Sequence, residues 1–140
     1  MSFDIFDTLL ERPFGRPIDV FAHIAPEAAR LVGRPIDFAR LRVAAERKAR
    51  RRARRQGREE IDLDAIYEEL AETLSLTKKV RAALCSLELD AEMRLLAPRQ
   101  TGRALYLAAR ALDKRIVFVS DMYLPSRFLP LQCWHLKWDR

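Results

Sequence analysis

SFDIFDTLL, the sequence of residues Ser2–Leu10, is a short apolar run interrupted by two aspartates. Its aromatic and branched residues favour an extended, buried strand, and Asp7 with Thr8 favours a tight exit from that strand. We therefore expect a buried strand that presents Asp4 at its carboxyl end. Ligands bind at the carboxyl ends of strands in open parallel sheets, so a carboxylate there is placed to act on a substrate.

A second strand is predicted within RIVFVSDMYLP, residues Arg115–Pro125. Ile116 to Val119 form a continuous apolar run, too short for a helix and bounded by polar residues, which is typical of a strand buried on both faces. The run ends at Ser120. Two short strands that end in hydroxyl and carboxylate residues, with a long helical region between them, predict an α/β core that carries an insertion.

Apolar residues at helical spacing predict five helices between the two strands. Pro26 is expected to kink or split the first of them, and Gly33 to end it. Asp19 and Thr77 are expected to cap the first and fourth helices, and the other three begin at Asp37, Asp62 and Thr101. The five helices are predicted to end at Gly33, about Gln56, Leu74, about Ala97 and Leu112.

The two strands together resemble the first two motifs of the haloacid dehalogenase-like (HAD) hydrolase superfamily. The first motif of that superfamily is a strand ending in D-x-D-x-T, which aligns with Asp4, Phe6 and Thr8, and the second is a strand ending in Ser or Thr, which aligns with Ser120. The phrases SFDIFDTLL and VSDMYLP look closest to a bacterial branch often found beside or fused to glycosyltransferases. The resemblance implies an α/β fold, mostly α by residue count: a partial Rossmann-like parallel sheet with a helical cap inserted after the first strand.

The resemblance also implies a reaction and a set of site residues. Asp4 would be the nucleophile that forms a covalent aspartyl intermediate with a small phosphorylated substrate. Thr8 and Ser120 would bind the phosphate, and Mg²⁺ would be held by the Asp4 carboxylate and the backbone carbonyl of Phe6. The implied domain limits are residues 1–12 and 113–131 for the core, 13–112 for the cap, and 132–140 for an atypical tail.

Two departures from the family pattern put activity in question. Phosphatase branches carry a second aspartate where this chain has Phe6, and a phenyl ring cannot protonate a leaving group; a carbon-centred reaction or a proton supplied through water stays open. The sequence ends fifteen residues after Pro125, before a third and fourth motif could follow. We therefore expect a truncated hydrolase, with a non-catalytic remnant of the fold as one alternative.

Composition limits the remaining choices. The chain has 140 residues, a hydrophobic fraction of 49% and no apolar run long enough to cross a bilayer, which indicates one ordered, cytoplasmic domain without a membrane partner. Cys85 and Cys133 lie far apart and have no further cysteine partners, which argues against a disulfide framework or a zinc site. Cys85 is expected to be a packed core residue, and His23 a surface or packing histidine.

The segment Arg40–Arg58 is strongly basic. It holds ten Lys or Arg residues and one acid, Glu46, a local charge of +9, so the rest of the chain carries +6 minus +9, or −3. One alternative function is therefore a basic helical module that binds nucleic acid. We favour a solvated face neutralised by the acids of residues 59–64 and do not expect a nucleic-acid partner, because no aromatic residues interleave to stack bases.

Overall fold

The computed structural model describes residues 1–16 and 18–119, and their contacts form two compact units. The strand unit comprises residues 1–13 and 95–119, and the helical unit comprises Phe14–Arg94. In the described part the chain is a mostly helical α/β protein with five helices and two small sheets. No helix in that part is both long enough and apolar enough to span a bilayer.

All five predicted helices are present, and their ends agree with the prediction to within two residues. Thr77 caps its helix as predicted, and Asp37 and Asp62, predicted as the starts of their helices, also act as caps. Each side chain accepts a hydrogen bond from the backbone amide three residues on; for Asp37, Asp62 and Thr77 the distances are 3.2, 2.8 and 3.3 Å. The helices are α1 (Asp19–Val32), α2 (Phe38–Arg55), α3 (Leu63–Leu74), α4 (Lys78–Leu95) and α5 (Gln100–Ala111).

The start and the middle of α1 differ from the prediction. Ile18 occupies the cap position, and Asp19 is the first helical residue, where its carboxylate pairs with Arg16 at 2.8 Å instead of capping. The helix continues through Pro26, so the predicted split is wrong. A proline removes only one backbone hydrogen bond, and buried side chains on both sides of this one hold the helix in place. Gly33 ends α1 in the left-handed conformation, as predicted.

The strand unit contains a parallel pair and an antiparallel pair of strands. β1 (Ser2–Asp4) runs parallel to β4 (Val117–Val119), and Asp4 lies opposite Val119. β2 (Leu10–Glu11) runs antiparallel to β3 (Ala97–Pro98), a pairing that the sequence did not predict. The parallel pair is the feature that positions the candidate site, because it joins the two ends of the described chain.

β4 is not buried on both faces, so that prediction is wrong. Val117, Phe118 and Val119 are 46%, 43% and 53% exposed. Within the described residues β4 has one strand neighbour, β1, and the Phe118 ring stacks on Tyr106 with 6.1 Å between centroids. Burial on both faces requires a layer on each side of the sheet, and these neighbours do not supply it.

Candidate functional site at the end of β1

Asp4 is the last residue of β1, and its side chain is exposed. The flanking residues Phe3 and Ile5 are 6% and 3% exposed, so the side chains alternate between the core and solvent as a strand requires. Within the described residues the Asp4 carboxylate has no ion pair or hydrogen bond. The site therefore begins with an anchored backbone and a carboxylate that is open to a ligand.

The loop after β1 folds back on itself within one turn. The Ile5 carbonyl accepts hydrogen bonds from the amides of Leu9 and Leu10 at 3.0 and 2.9 Å, and the Asp7 amide donates to the Leu10 carbonyl at 2.7 Å. Asp7 has a φ of 58°, in the left-handed region that Asp and Asn enter more readily than most residues. The tight exit predicted at Asp7 is therefore confirmed, and its cause is local backbone geometry.

Arg99 ties this loop to the start of α5. Its backbone amide donates to the Leu9 carbonyl at 2.8 Å, and its guanidinium donates to the Asp7 carbonyl. The same side chain approaches Glu11 at 4.0 Å. One residue thus holds both the loop backbone and the strand that follows it, which fixes the position of the segment after Asp4.

Gly102 lets α5 lie directly against the same loop. A Cβ atom at this position would stand 2.1 Å from the Thr8 carbonyl oxygen and 2.9 Å from the Leu9 Cα, both backbone atoms that cannot swing away. Only glycine permits this approach. Sequence reasoning missed this residue because an isolated glycine inside a helical pattern does not indicate which distant segment it touches.

Phe6 occupies the place where phosphatase branches of the resembled family carry an acid. Its ring is 6% exposed, and the Arg12 guanidinium lies over it, 5.0 Å from the centroid. Asp7, the nearest other carboxylate, is exposed, so the two side chains do not share an environment. Neither residue is placed as a general acid by the described contacts.

The remaining predicted site residues divide between described and undescribed parts of the chain. Thr8 is half-buried and lies on the same loop as Phe6. Ser120 lies outside the described residues; it follows Val119, the strand partner of Asp4. The structure thus brings Asp4, Phe6 and Thr8 onto one strand end and its loop, and the role predicted for Ser120 stays a prediction.

The donor set for Mg²⁺ is small in the described part. By the resemblance it would consist of the Asp4 carboxylate and the Phe6 backbone carbonyl, and no group of three His, Cys, Asp or Glu side chains is assembled there. Proteins often bind Mg²⁺ through one or two carboxylates, with waters and substrate phosphates completing the octahedron. Both oxygens are of the type that Mg²⁺ prefers. These two donors therefore fit the ion, with the smallest number of protein ligands that such sites use.

A buried polar cluster in the helical unit was missed by sequence reasoning. The Arg42 guanidinium, fully buried, donates two hydrogen bonds to Glu88, at 2.7 and 2.8 Å, and Tyr67 donates its hydroxyl to the same carboxylate at 2.7 Å. Burial, followed by the charge of Glu88, raises the pKa of Tyr67 well above its usual value. The available signal was spacing, because Arg42 shares a helix face with the buried Phe38 and Ala45.

The basic segment is neutralised in part, by acids other than those predicted. Lys48 and Arg52 of α2 pair with Glu69 of α3 at 2.5 and 3.1 Å, and both also approach Glu72. Burial would raise the pKa of Glu69, but hydrogen bonds from the two cations outweigh it and hold that pKa below its usual value. Within the described residues the acids of residues 59–64 form no ion pair with α2, so that prediction is wrong.

Two further titratable residues, Cys85 and His23, lie outside the candidate site. Cys85 is half-buried, and desolvation raises the pKa of its thiol to about 11. His23 is exposed, and its ring lies 5.6 Å from the ring of Phe14, as expected for a surface or packing histidine. Neither residue belongs to the loop after β1.

Comparison with known proteins adds no support for a family assignment. No protein-family model matches the chain, and no curated protein matches it. The likeness to HAD-like hydrolases therefore stays a prediction that rests on Asp4, Thr8 and Ser120.

Proposed function

We propose that this chain is a HAD-like hydrolase, in which Asp4 is the nucleophile for phosphoryl transfer from a small phosphorylated substrate. The observation that carries the proposal is the parallel pairing of β1 with β4. This register puts an exposed carboxylate, without a partner among the described residues, at the carboxyl end of a parallel strand pair, where α/β folds bind ligands. Val119 lies opposite Asp4 in this register, and the next residue in the sequence is the hydroxyl-bearing Ser120.

The chemistry needs little from the rest of the chain. A carboxylate is ionised at neutral pH and needs no base to activate it. An Asp4 oxygen attacks phosphorus, the bond from phosphorus to the leaving oxygen breaks, and the leaving group departs with the electron pair. Water then attacks the aspartyl phosphate and releases inorganic phosphate. Thr8 and Ser120 hydroxyls would hold the phosphate oxygens during both steps.

Phe6 sets the expected substrate preference within this proposal. Because its buried ring cannot donate a proton, the leaving oxygen must depart as an anion or take its proton from water. Substrates with acidic leaving groups, such as aryl phosphates, should therefore react far faster than alkyl phosphates. A family member with an aspartate at this place would show a weaker dependence on the leaving group.

Mg²⁺ belongs to the proposal through the resemblance. The Asp4 carboxylate and the Phe6 carbonyl would hold it, and it would supply charge neutralisation at the phosphate. The finer fold assignment, a partial Rossmann-like sheet with a helical cap after the first strand, is part of the same proposal, as are the domain limits at residues 12 and 112. Association with a glycosyltransferase is a further expectation of the resembled branch.

The test is hydrolysis of an aryl phosphate by the full chain, with and without Mg²⁺. Asp4→Asn should lower the rate on the order of 10³-fold or more, because an amide oxygen is a poor nucleophile. Asp7→Asn is the matched control: it makes the same charge change three residues away, and Asn tolerates the left-handed backbone of Asp7. Acid quenching during turnover should trap a phosphoryl group on the peptide that contains Asp4.

Two results would count against the proposal. Equal activity in the wild type and Asp4→Asn would remove the nucleophile assignment. A well-folded wild type without activity on aryl phosphates, with or without Mg²⁺, would favour the non-catalytic remnant of the fold instead. Chloride release from a 2-chloroacid that is lost in Asp4→Asn would keep Asp4 as the nucleophile, but it would show that Asp4 attacks carbon and not phosphorus.

A further inference from the structure

The outer face of α2 carries four arginines that form no ion pair with any described residue: Arg47, Arg51, Arg54 and Arg55, together the arginine stripe. All four side chains are exposed. At 100° and 1.5 Å per residue they cover an arc of about 100° and a length of about 12 Å. The stripe is therefore a single continuous cationic surface.

The rest of α2 explains why the stripe is distinct. The buried residues of the helix, Arg42, Ala45, Ala49 and Ala53 among them, lie on the opposite face and pack within the helical unit. Lys48, Arg50 and Arg52 flank the stripe, and their charges are matched by Glu46, Glu69 and Glu72. The helix thus has one packed face, two neutralised flanks and one outer row of charge that no described residue neutralises.

Holding these four charges together is unfavourable for the isolated chain. Arg47 and Arg51, and Arg51 and Arg55, are like charges at i, i+4 spacing, which repel across one helical turn. The described residues bring no acid to relieve them, although the neighbouring cations are each given one. An arrangement of this kind is stabilised by a ligand that carries several negative charges at short, regular intervals.

We propose that the arginine stripe docks on the phosphate backbone of duplex DNA. Duplex DNA carries one negative charge per about 1.7 Å of axis when both strands are counted, so a length of duplex equal to the stripe carries about seven phosphates on its two strands. Arg pairs with phosphate in a bidentate manner. The stripe recognises the backbone and does not select a sequence. This function is independent of Asp4 and would add a nucleic-acid surface to the helical unit.

The composition of α2 favours a duplex over a single strand, a membrane surface or an acidic protein. Single-stranded nucleic acid is usually held by stacking on aromatic side chains, and α2 has none beyond its buried Phe38. A membrane-surface helix inserts an apolar face into the lipid, whereas the apolar face of α2 is buried in the helical unit. Acidic protein partners rely on aromatic and apolar anchors, which the stripe also lacks.

The test measures fluorescence anisotropy of a labelled mixed-sequence DNA duplex with the full chain at several salt concentrations. Four phosphate contacts predict a slope of log K against log salt of about −3.6, which is a loss of about 150-fold in affinity between 50 and 200 mM salt. The variant Arg47→Gln/Arg51→Gln/Arg54→Gln/Arg55→Gln should bind with a slope near zero. Its circular dichroism should match the wild type, because none of the four side chains is buried.

The matched control removes the same charge elsewhere. Lys78→Gln/Lys79→Gln/Arg94→Gln/Lys114→Gln changes four exposed cations away from α2 and should keep both the affinity and the slope within about two-fold of the wild type. Equal losses in the two variants would overturn the stripe as the surface. No duplex binding at low salt, or stronger binding of a single strand, an RNA duplex, anionic vesicles or an acidic peptide, would overturn the proposed partner.

Discussion

The helical unit and the strand unit differ in how their side chains are matched to their surroundings. In the helical unit a buried guanidinium, Arg42, donates two hydrogen bonds to the Glu88 carboxylate and one to Glu46. In the strand unit apolar side chains remain in solvent: Leu105, Leu112, Val117, Phe118 and Val119 are each 43–67% exposed. The helices close on one another through side chains, whereas a sheet needs further strands or layers on its edges and faces.

The largest expected effect comes from breaking the buried pair of the helical unit. Glu88→Ala should lower the free energy of unfolding by about 3–5 kcal/mol, because it removes the buried carboxylate that accepts two hydrogen bonds from Arg42 and leaves this buried charge with the longer Glu46 contact at 3.2 Å. Urea unfolding followed by far-ultraviolet circular dichroism would measure it. Arg50→Ala, which removes an exposed i, i+4 pair with Glu46, should cost less than about 0.5 kcal/mol.

The double variant Arg42→Met/Glu88→Met sharpens this result. Replacing both charges with apolar side chains removes the desolvation cost as well as the attraction, so the double variant should be more stable than Glu88→Ala. A double variant as unstable as the single one would mean that the lost attraction within the pair accounts for the destabilisation, rather than the cost of keeping an incompletely matched charge buried.

An intermediate effect is expected in the strand unit from Gly102→Ala. The new methyl group would meet the backbone of Thr8 and Leu9, so the loop or α5 must shift, at a cost of about 1–3 kcal/mol. Hydrogen exchange of the Leu9 and Leu10 amides should speed up, since both donate to Ile5 within this loop. Gly15→Ala is the control, because a methyl group there meets nothing within 4 Å; equal exchange in both variants would contradict the close approach.

The smallest expected effect concerns the thiol of Cys85, measured in a Cys133→Ser background so that one cysteine reacts. Its pKa of about 11, against 9.0 for an ordinary thiol, makes alkylation at pH 8 about 100-fold slower, and the rate should rise until about pH 11. Because the pKa of Cys85 is higher in the folded state than in the unfolded state, the protonated thiol favours the folded state. This contribution to stability is complete below about pH 9 and is lost as the pH approaches 11. A rate that levels off near pH 9 would contradict the burial of this thiol.

The helices could be predicted because their signals are local. The capping side chains of Asp37, Asp62 and Thr77 act on amides three residues away, and Gly33 ends α1 through its own backbone conformation. The apolar faces repeat every three or four residues within each helix. None of these features depends on which distant segment packs nearby, so one sequence suffices to find them.

Features that depend on distant segments could not be predicted in this way. β2 and β3 have two residues each and are strands only because they pair across more than eighty residues. The acids that neutralise Lys48 and Arg52 come from α3 and not from the acidic run that follows α2. Sequence proximity suggested the wrong partners, because helix packing decides which charges meet.

The candidate site shows the same division. Asp4 at the end of β1 and the tight turn at Asp7 follow from the order of residues in SFDIFDTLL. Arg99 and Gly102, which hold that turn from the other side, lie over ninety residues away and carry no sequence signal of the contact. The position of a candidate nucleophile can thus be predicted from a motif, but the contacts that hold its loop are seen only in the fold.

The left-handed backbone at Asp7 offers a structural reason for an aspartate at this position. Its carboxylate therefore need not have a role in acid–base chemistry. In a saturation library at this position, we expect Gly, Asn and Asp to survive selection and β-branched residues to be lost, whatever their charge. That pattern of tolerated residues would show that Asp7 is retained for its backbone conformation. It would separate this stereochemical constraint from a role in acid–base chemistry.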